Sequence, residues 1–202
     1  MKKLFVWVLM FALTFSAVQV LAENENTEPP LPQLYSSEAF LDAFNQVKEE
    51  NPDLFTGFIL EEESLDGGDL YDGIYAKYRF HPEEKQDPTS VHITFKRWDE
   101  VIAMISGLEW REQVTYNIVC QTEKENGDWI TYTTIFGKML EKLTGDENVL
   151  PWMLETADTC YVEYCENGKA TNVKTAYEGE GFTLEGRGGI HFSFAFHISP
   201  AS

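Results

Sequence analysis

Apolar and polar residues alternate along much of the chain with the period of two that is typical of β-strands burying one face. The clearest example lies at residues 190–198, where isoleucine or phenylalanine occupies every second position. Similar alternation, or a short continuous apolar run, predicts further strands at residues 54–60, 74–80, 91–95, 113–122, 129–136, 160–165 and 170–177.

In three other stretches the apolar residues recur every three to four positions, as they do on the buried side of a helix. The first follows Ser36 and Ser37, either of which can cap a helix, and ends at Asn51-Pro52. The second begins after Asp99, and the third is shorter. The apolar positions of the three predicted helices are Phe40, Leu41, Phe44 and Val47; Val101, Ile102, Ile105 and Leu108; and Met139, Leu140 and Leu143.

Two Asn-Gly dipeptides, Asn126-Gly127 and Asn167-Gly168, favour tight hairpin turns between predicted strands. Asn and Gly readily adopt the positive φ angles of a type I′ turn. Strands joined this closely pair antiparallel, because a parallel pair needs a long crossover. The pattern therefore predicts an α+β fold, with two or three helices packed on a mainly antiparallel, hairpin-rich sheet.

The first 22 residues have the three parts of a secretory signal peptide. Met1-Lys2-Lys3 is basic, residues 4–18 are almost all apolar, and Val20-Leu21-Ala22 supplies a cleavage site. The apolar stretch is shorter than the roughly 20 residues that a spanning helix needs. We therefore predict export to the periplasm or the medium of a bacterial cell, with no membrane insertion once the signal is removed.

Residues 23–34 are polar and acidic and include three prolines, which remove backbone donors and oppose helix formation. They are predicted to form a leader without regular structure. The remaining residues, 35–202, are numerous enough for one domain with its own core and too few for two domains of ordinary size.

The chain is strongly acidic, with 15 lysines and arginines against 34 aspartates and glutamates and a net charge of −19. Nucleic acids and anionic membranes are poor partners for such a protein, because each phosphate contact needs a cation. A basic protein is a more suitable partner, since opposite charge accelerates its association.

An acidic, glycine-containing segment at residues 61–73 is the strongest candidate for a metal site. Asp66, Asp69 and Asp72 supply carboxylates of the kind that calcium prefers, and the glycines leave backbone carbonyls accessible. The spacing is not that of an EF-hand loop. A solvated loop explains the same residues, so Ca²⁺ is the one cofactor that the sequence suggests and it is not required.

Candidate catalytic residues are dispersed. Four histidines occur, His81, His92, His191 and His197, and the last two are about 20 Å apart on an extended strand at ~3.3 Å per residue. No serine has the Gly-x-Ser-x-Gly context of a hydrolase nucleophile. The segment 186–189, Gly-Arg-Gly-Gly, is predicted to be a flexible turn and not a phosphate-binding loop, because it precedes a strand.

Three cysteines, Cys120, Cys160 and Cys165, enter an oxidising compartment if the protein is exported. On an extended strand Cys160 and Cys165 would be too far apart to form a disulfide. Cys120 and Cys160 share apolar strand faces with their neighbours, so a Cys120–Cys160 bridge is the preferred prediction. Three reduced thiols are the alternative.

Three functions agree with these observations. The first is an exported, soluble, non-catalytic binding or inhibitory domain that acts on a basic protein. The second is a small secreted hydrolase whose site combines acids with His81, His191 or His197. The third is a ligand-cupping domain with an aromatic-lined pocket for a small apolar ligand. A glycan is a further candidate partner, because Trp98, Trp110, Trp129 and Trp152 can stack on sugar rings if exposed.

Overall fold

A computed structural model of the chain describes residues 33–83, 89–97, 112–119, 128–190 and 192–201. These residues belong to one compact unit that begins at Gln33. Gln33 and Leu34, the last two residues of the predicted leader, belong to a 3-10 helix, Gln33–Tyr35. The signal peptide, the helix after Asp99 and the turn at Asn126-Gly127 lie outside the described residues.

Seven antiparallel strands form one sheet in the order β1-β2-β3-β4-β7-β6-β5. Alternate residues of the central strands point to one face and are fully buried, as the period-two pattern requires. The strands are β1 (Phe58–Glu62), β2 (Ile74–Pro82), β3 (Ser90–Arg97), β4 (Glu112–Val119), β5 (Lys174–Gly179), β6 (Phe182–Gly188) and β7 (Ser193–Pro200).

Four α-helices are present in the described part of the chain: α1 (Ser37–Glu50), α2 (Gly67–Tyr71), α3 (Asp128–Thr144) and α4 (Val149–Asn167). The three longer helices cover the apolar face of the sheet. Phe40 of α1 stacks on Tyr78 with ring centroids 5.3 Å apart. Trp152 of α4 meets Phe196 at 5.8 Å. This arrangement confirms the predicted α+β fold with an antiparallel sheet.

Helix α3 occupies the segment for which the sequence predicted a strand at residues 129–136, so that prediction is wrong. The buried residues of this segment are spaced three or four apart, as on the buried side of a helix. They are Trp129, Tyr132, Phe136 and Met139. The Thr133 hydroxyl donates to the Trp129 carbonyl one turn earlier, so a β-branched residue is accommodated in the helix.

Helix α4 replaces the predicted strand at residues 160–165 and the first part of the predicted hairpin. Gly168 takes a positive φ of 69° and its N–H donates to the Tyr164 carbonyl, which ends the helix. An Asn-Gly pair thus supplied a left-handed helix cap where a type I′ turn had been expected. Both structures need a positive φ, so the dipeptide alone does not separate them.

The segment 186–189 was predicted to be a flexible turn, but Gly186 and Gly188 lie within strand β6. A Cβ atom on Gly186 would stand 2.6 Å from the Thr156 side chain of α4. Glycine is therefore used here because α4 approaches the sheet too closely for any side chain.

The other described segments agree more closely with the pattern. Strands are confirmed at residues 74–80 and 91–95, over the described part of 113–122, and from residue 193 onward in the predicted strand 190–198. Residues 54–60 divide into the end of a 3-10 helix, Pro52–Phe55, and the start of β1. The polar segment at residues 61–73 includes the short helix α2, which the composition did not indicate.

Candidate functional site

The face of the sheet opposite the three long helices carries the polar residues that alternate with the core positions. We call it the outer face. On its central strands it presents His81, Lys77, Arg79, His92, Thr94, Lys96, Thr115, His197, Glu185 and Arg187. Three of the four histidines considered from the sequence therefore share one surface.

Ser90, His92 and Glu63 form a connected row on this outer face. Ser90 Oγ lies 3.1 Å from His92 Nε2, and His92 Nδ1 lies 3.6 Å from a carboxylate oxygen of Glu63. Ser90 and His92 are two residues apart on β3, so the strand period places both side chains on the same side. Glu63 follows β1, and its N–H donates to the Lys77 carbonyl on β2.

A second histidine and an arginine border this row on the neighbouring strand. His81 Nε2 lies 3.2 Å from Glu61, and its Nδ1 lies 2.7 Å from the Pro82 carbonyl oxygen. Arg79 stands opposite both Glu61 on β1 and His92 on β3. Its buried Nε has no hydrogen-bond acceptor among the residues that the structure describes.

His197 belongs to a separate polar group on β4, β6 and β7. Its Nδ1 lies 3.2 Å from the Thr115 hydroxyl, and Glu185 is its partner across the strand pair. Burial lowers the pKa of His197 and Arg187 lowers it further, while Glu185 opposes the change. Glu185 also binds Arg187 at 2.7 Å and Lys174 at 2.8 Å, and the hydrogen bond from Arg187 is the main cause of its lowered pKa.

The sheet thus places two of the predicted catalytic histidines on the same face but does not bring them into contact. His81 on β2 and His197 on β7 are separated by strands β3 and β4, and His191 lies outside the described residues. The contact between Ser90 and His92 was missed. A Ser-x-His sequence at the start of an alternating strand was the available signal, because it places the two side chains on one face.

Two of the three carboxylates proposed for calcium, those of Asp66 and Asp69, have structural roles in helix α2. Asp66 accepts hydrogen bonds from the N–H groups of Gly68 and Asp69, and Asp69 accepts one from the Asp66 N–H. That backbone bond and Lys77 lower the pKa of Asp69. Asp72 lies at the helix C-terminus. No group of three potential ligands that could hold a metal occurs in the described part of the chain, and calcium binding stays a prediction.

Cys160 and Cys165 lie on helix α4 and not on a strand, so the strand geometry used to separate them was wrong. Both are free thiols in the structure. Burial raises the pKa of Cys160 to about 11, whereas Cys165 is exposed. Cys120 lies outside the described residues, so the Cys120–Cys160 bridge stays a prediction.

Helix α4 presents a second distinctive surface on its solvent side. Glu155, Asp158, Val162 and Glu166 are exposed and are spaced by three or four residues, so they share one side of the helix. We call these four residues the acidic face of α4. All nineteen residues of α4 are free of lysine and arginine.

The aromatic residues that a ligand-cupping domain would arrange around a pocket contact one another in the core. Phe80 alone meets Phe44, Phe58, Tyr132 and Phe136 at 5.4–5.9 Å. Trp129 is buried and Trp152 is half-buried, while Trp98 and Trp110 lie outside the described residues. One shallow surface groove of about 490 Å³ is lined by Asn45, Lys48, Glu49, Pro52, Phe55 and Thr56.

No protein-family model, curated protein or solved structure matches the chain, so its function has to be inferred from the residues themselves. Within the described ranges, no helix combines the length and the apolar character needed to cross a bilayer.

Proposed function

We propose that this protein is an exported binding domain that recognises, and by occupying its surface inhibits, a basic protein. The acidic face of α4 is the contact surface. The observation that supports this proposal is a nineteen-residue helix whose solvent side carries three carboxylates and whose sequence contains no cation. Export is inferred from the signal-like residues 1–22.

The acidic face of α4 is held on a rigid support. Met153, Ala157 and Cys160 on the opposite side of the helix are fully buried against the core. Trp129 of α3 stacks on Tyr161 of α4 with ring centroids 5.7 Å apart. A pre-ordered helix loses little conformational entropy when a partner binds, which favours affinity.

The composition of this surface suits a protein partner. Val162, with 47% of its surface exposed, lies between Asp158 and Glu166 and offers apolar area among the carboxylates. Interfaces commonly combine an apolar centre with a polar rim. The net charge of −19 adds a long-range attraction for basic proteins, which raises association rates mainly at low salt.

The proposal is tested by reversing charge on α4. Lysozyme is a suitable basic probe, and the triple variant Glu155→Lys, Asp158→Lys, Glu166→Lys is compared with the unchanged protein by calorimetry at several salt concentrations. We expect the unchanged protein to bind with an affinity that falls as salt rises. The triple variant should bind about 10-fold or more weakly at low salt, because three attractive contacts become repulsive.

A matched control separates a local surface from overall charge. The variant Asp42→Lys, Glu49→Lys, Glu178→Lys changes the net charge equally at exposed positions outside α4. It should retain most of the affinity. An equal loss in both variants would show that lysozyme is attracted only by net charge, and no binding by the unchanged protein at low salt would contradict recognition of basic proteins.

A further inference from the structure

We propose that Ser90, His92 and Glu63 form a nucleophilic site that hydrolyses small carboxylic esters. The three side chains follow the order that nucleophilic catalysis needs: hydroxyl, imidazole, carboxylate. Ser90 Oγ faces Nε2 of His92, and Glu63 faces the other ring nitrogen, Nδ1. This site lies on the outer face of the sheet and goes beyond the binding function proposed for α4.

The distances assign a role to each residue. A separation of 3.1 Å between Ser90 Oγ and His92 Nε2 is within hydrogen-bond range, so the imidazole can take the hydroxyl proton. The 3.6 Å between His92 Nδ1 and Glu63 is an ion-pair distance that tightens when the imidazole becomes charged. Glu63 is therefore a positioning residue that stabilises the imidazolium.

Access to the row is from the side of His92 and Glu63. Ser90 is only 3% exposed, but the adjacent side chains of His92 and Glu63 are 38% and 32% exposed. Solvent therefore reaches the imidazole, and a small ester would have to reach the hydroxyl along the His92 ring. A buried hydroxyl held against an exposed base restricts the site to small acyl groups.

Arg79 supplies a positive charge for the oxyanion that develops on the carbonyl oxygen. It stands opposite His92 on the neighbouring strand. Its buried Nε has no acceptor among the described residues. A guanidinium beside the imidazole would stabilise the oxyanion electrostatically.

The reaction proceeds in two steps. Ser90 Oγ forms a bond to the ester carbonyl carbon while its proton passes to His92 Nε2, and the C–O bond to the alcohol then breaks as the alcohol takes that proton. Water next gives a proton to His92 and attacks the acyl-serine carbonyl. The bond to Ser90 Oγ breaks, the serine recovers its proton from His92, and a carboxylic acid leaves.

The test uses the mature protein with p-nitrophenyl acetate and with a fluorophosphonate probe that modifies activated serines. We expect one adduct, located on Ser90 by peptide mapping, and ester hydrolysis above the rate in buffer. Ser90→Ala should abolish both signals. His92→Gln should slow labelling by about 100-fold or more, which is the usual contribution of a general base.

Ser193→Ala is the matched control. Ser193 also lies on the outer face, but its hydroxyl donates to the Ile190 carbonyl and not to a histidine. This variant should keep the labelling and hydrolysis rates of the unchanged protein. Circular dichroism and melting temperature establish that each variant remains folded.

The role of Glu63 is tested by measuring kcat and KM separately. Glu63→Gln should lower kcat and leave KM nearly unchanged, because the carboxylate acts on His92 and not on the substrate, and Glu63→Asp should restore part of the rate. The absence of an adduct on Ser90, or labelling of Ser90 at an unchanged rate in folded His92→Gln protein, would overturn the proposal. Neither result bears on binding by α4.

Discussion

At the scale of single residues, one half-buried carboxylate joins three elements of the fold. Asp146 lies between α3 and α4, and its side chain accepts a 2.5 Å hydrogen bond from the Tyr177 hydroxyl of β5. The same carboxylate accepts bonds from the backbone and side chain of Asn148, just before α4. The bond from Tyr177 is the main cause of the lowered pKa of Asp146, and it raises the pKa of Tyr177.

We expect Tyr177→Phe to lower the free energy of unfolding by about 1 kcal/mol at pH 7, allowing for solvent screening of a hydrogen bond to a charged group. The pKa of Asp146 is lowered in the folded state, so its contribution is present above the unfolded value near ~3.9 and is lost as pH falls through the folded value. The pKa of Tyr177 is raised in the folded state. The stabilisation from this hydrogen bond is therefore also lost as pH rises above about 10 and the hydroxyl loses its proton.

Urea unfolding at pH 7 and near pH 2.5 measures the loss of stability at neutral pH and its decrease in acid. The difference between Tyr177→Phe and the unchanged protein should shrink in acid. Tyr71→Phe, at an exposed tyrosine on α2, is the control and should change stability little at either pH. A loss of the same size at both pH values would show that the effect does not depend on the ionised Asp146 carboxylate that accepts this hydrogen bond.

At the scale of elements, the pattern predicted strands well where their two faces meet different surroundings. Strands β2 and β3 alternate cleanly because one face contacts the helices and the other carries polar residues. The last part of α3 was predicted from Met139, Leu140 and Leu143, but its first half was predicted to be a strand. That half and α4 were missed because their apolar residues fit either period and Asn-Gly suits both a hairpin and a helix cap.

The candidate site could be inferred only in part for a related reason. Ser90 and His92 share a strand, so their proximity follows from the period of two. Glu63 reaches His92 across the intervening strand β2, and that approach depends on the order and register of three strands. Sequence pattern does not specify register between segments so far apart.

The packing of α4 on β6 yields a prediction at the same scale. Gly186→Ala should lower the free energy of unfolding by about 1–3 kcal/mol, because the added methyl group would overlap Thr156 and Thr175. Gly67→Ala is the control, since a Cβ there meets nothing within 4 Å. Chemical denaturation compares the two variants. If Gly186→Ala were as stable as Gly67→Ala, α4 would not approach β6 as closely as the structure indicates.

At the scale of the whole molecule, charge is distributed unequally between the two sides of the sheet. Helix α4 has acids and no cations on its solvent side. The outer face places Lys77, Arg79, Lys96 and Arg187 beside its glutamates and histidines. In the two proposals, a basic partner is therefore directed toward α4, while the more balanced outer face is left open to a small substrate. The two proposed activities use opposite sides of one sheet and can operate independently.

Export would determine the form in which this molecule reaches its proposed partner. Expressed in a bacterium, the protein should be recovered from the periplasm or the medium beginning at Glu23, because Val20-Leu21-Ala22 provides a signal-peptidase site. Cleavage there removes no described residue, since the compact unit begins at Gln33. The processed protein should therefore fold with the full sheet and all four described helices.

Intact-mass measurement of the exported fraction identifies the first residue. Ala22→Asp is the control, because an acidic residue in place of the small residue before the cut should block processing and keep the chain with the membrane fraction. Soluble exported protein that still contains residues 1–22 would contradict the cleavage. Processed protein found only inside the cell would contradict export, and the partner would then have to be a basic protein of the cytoplasm.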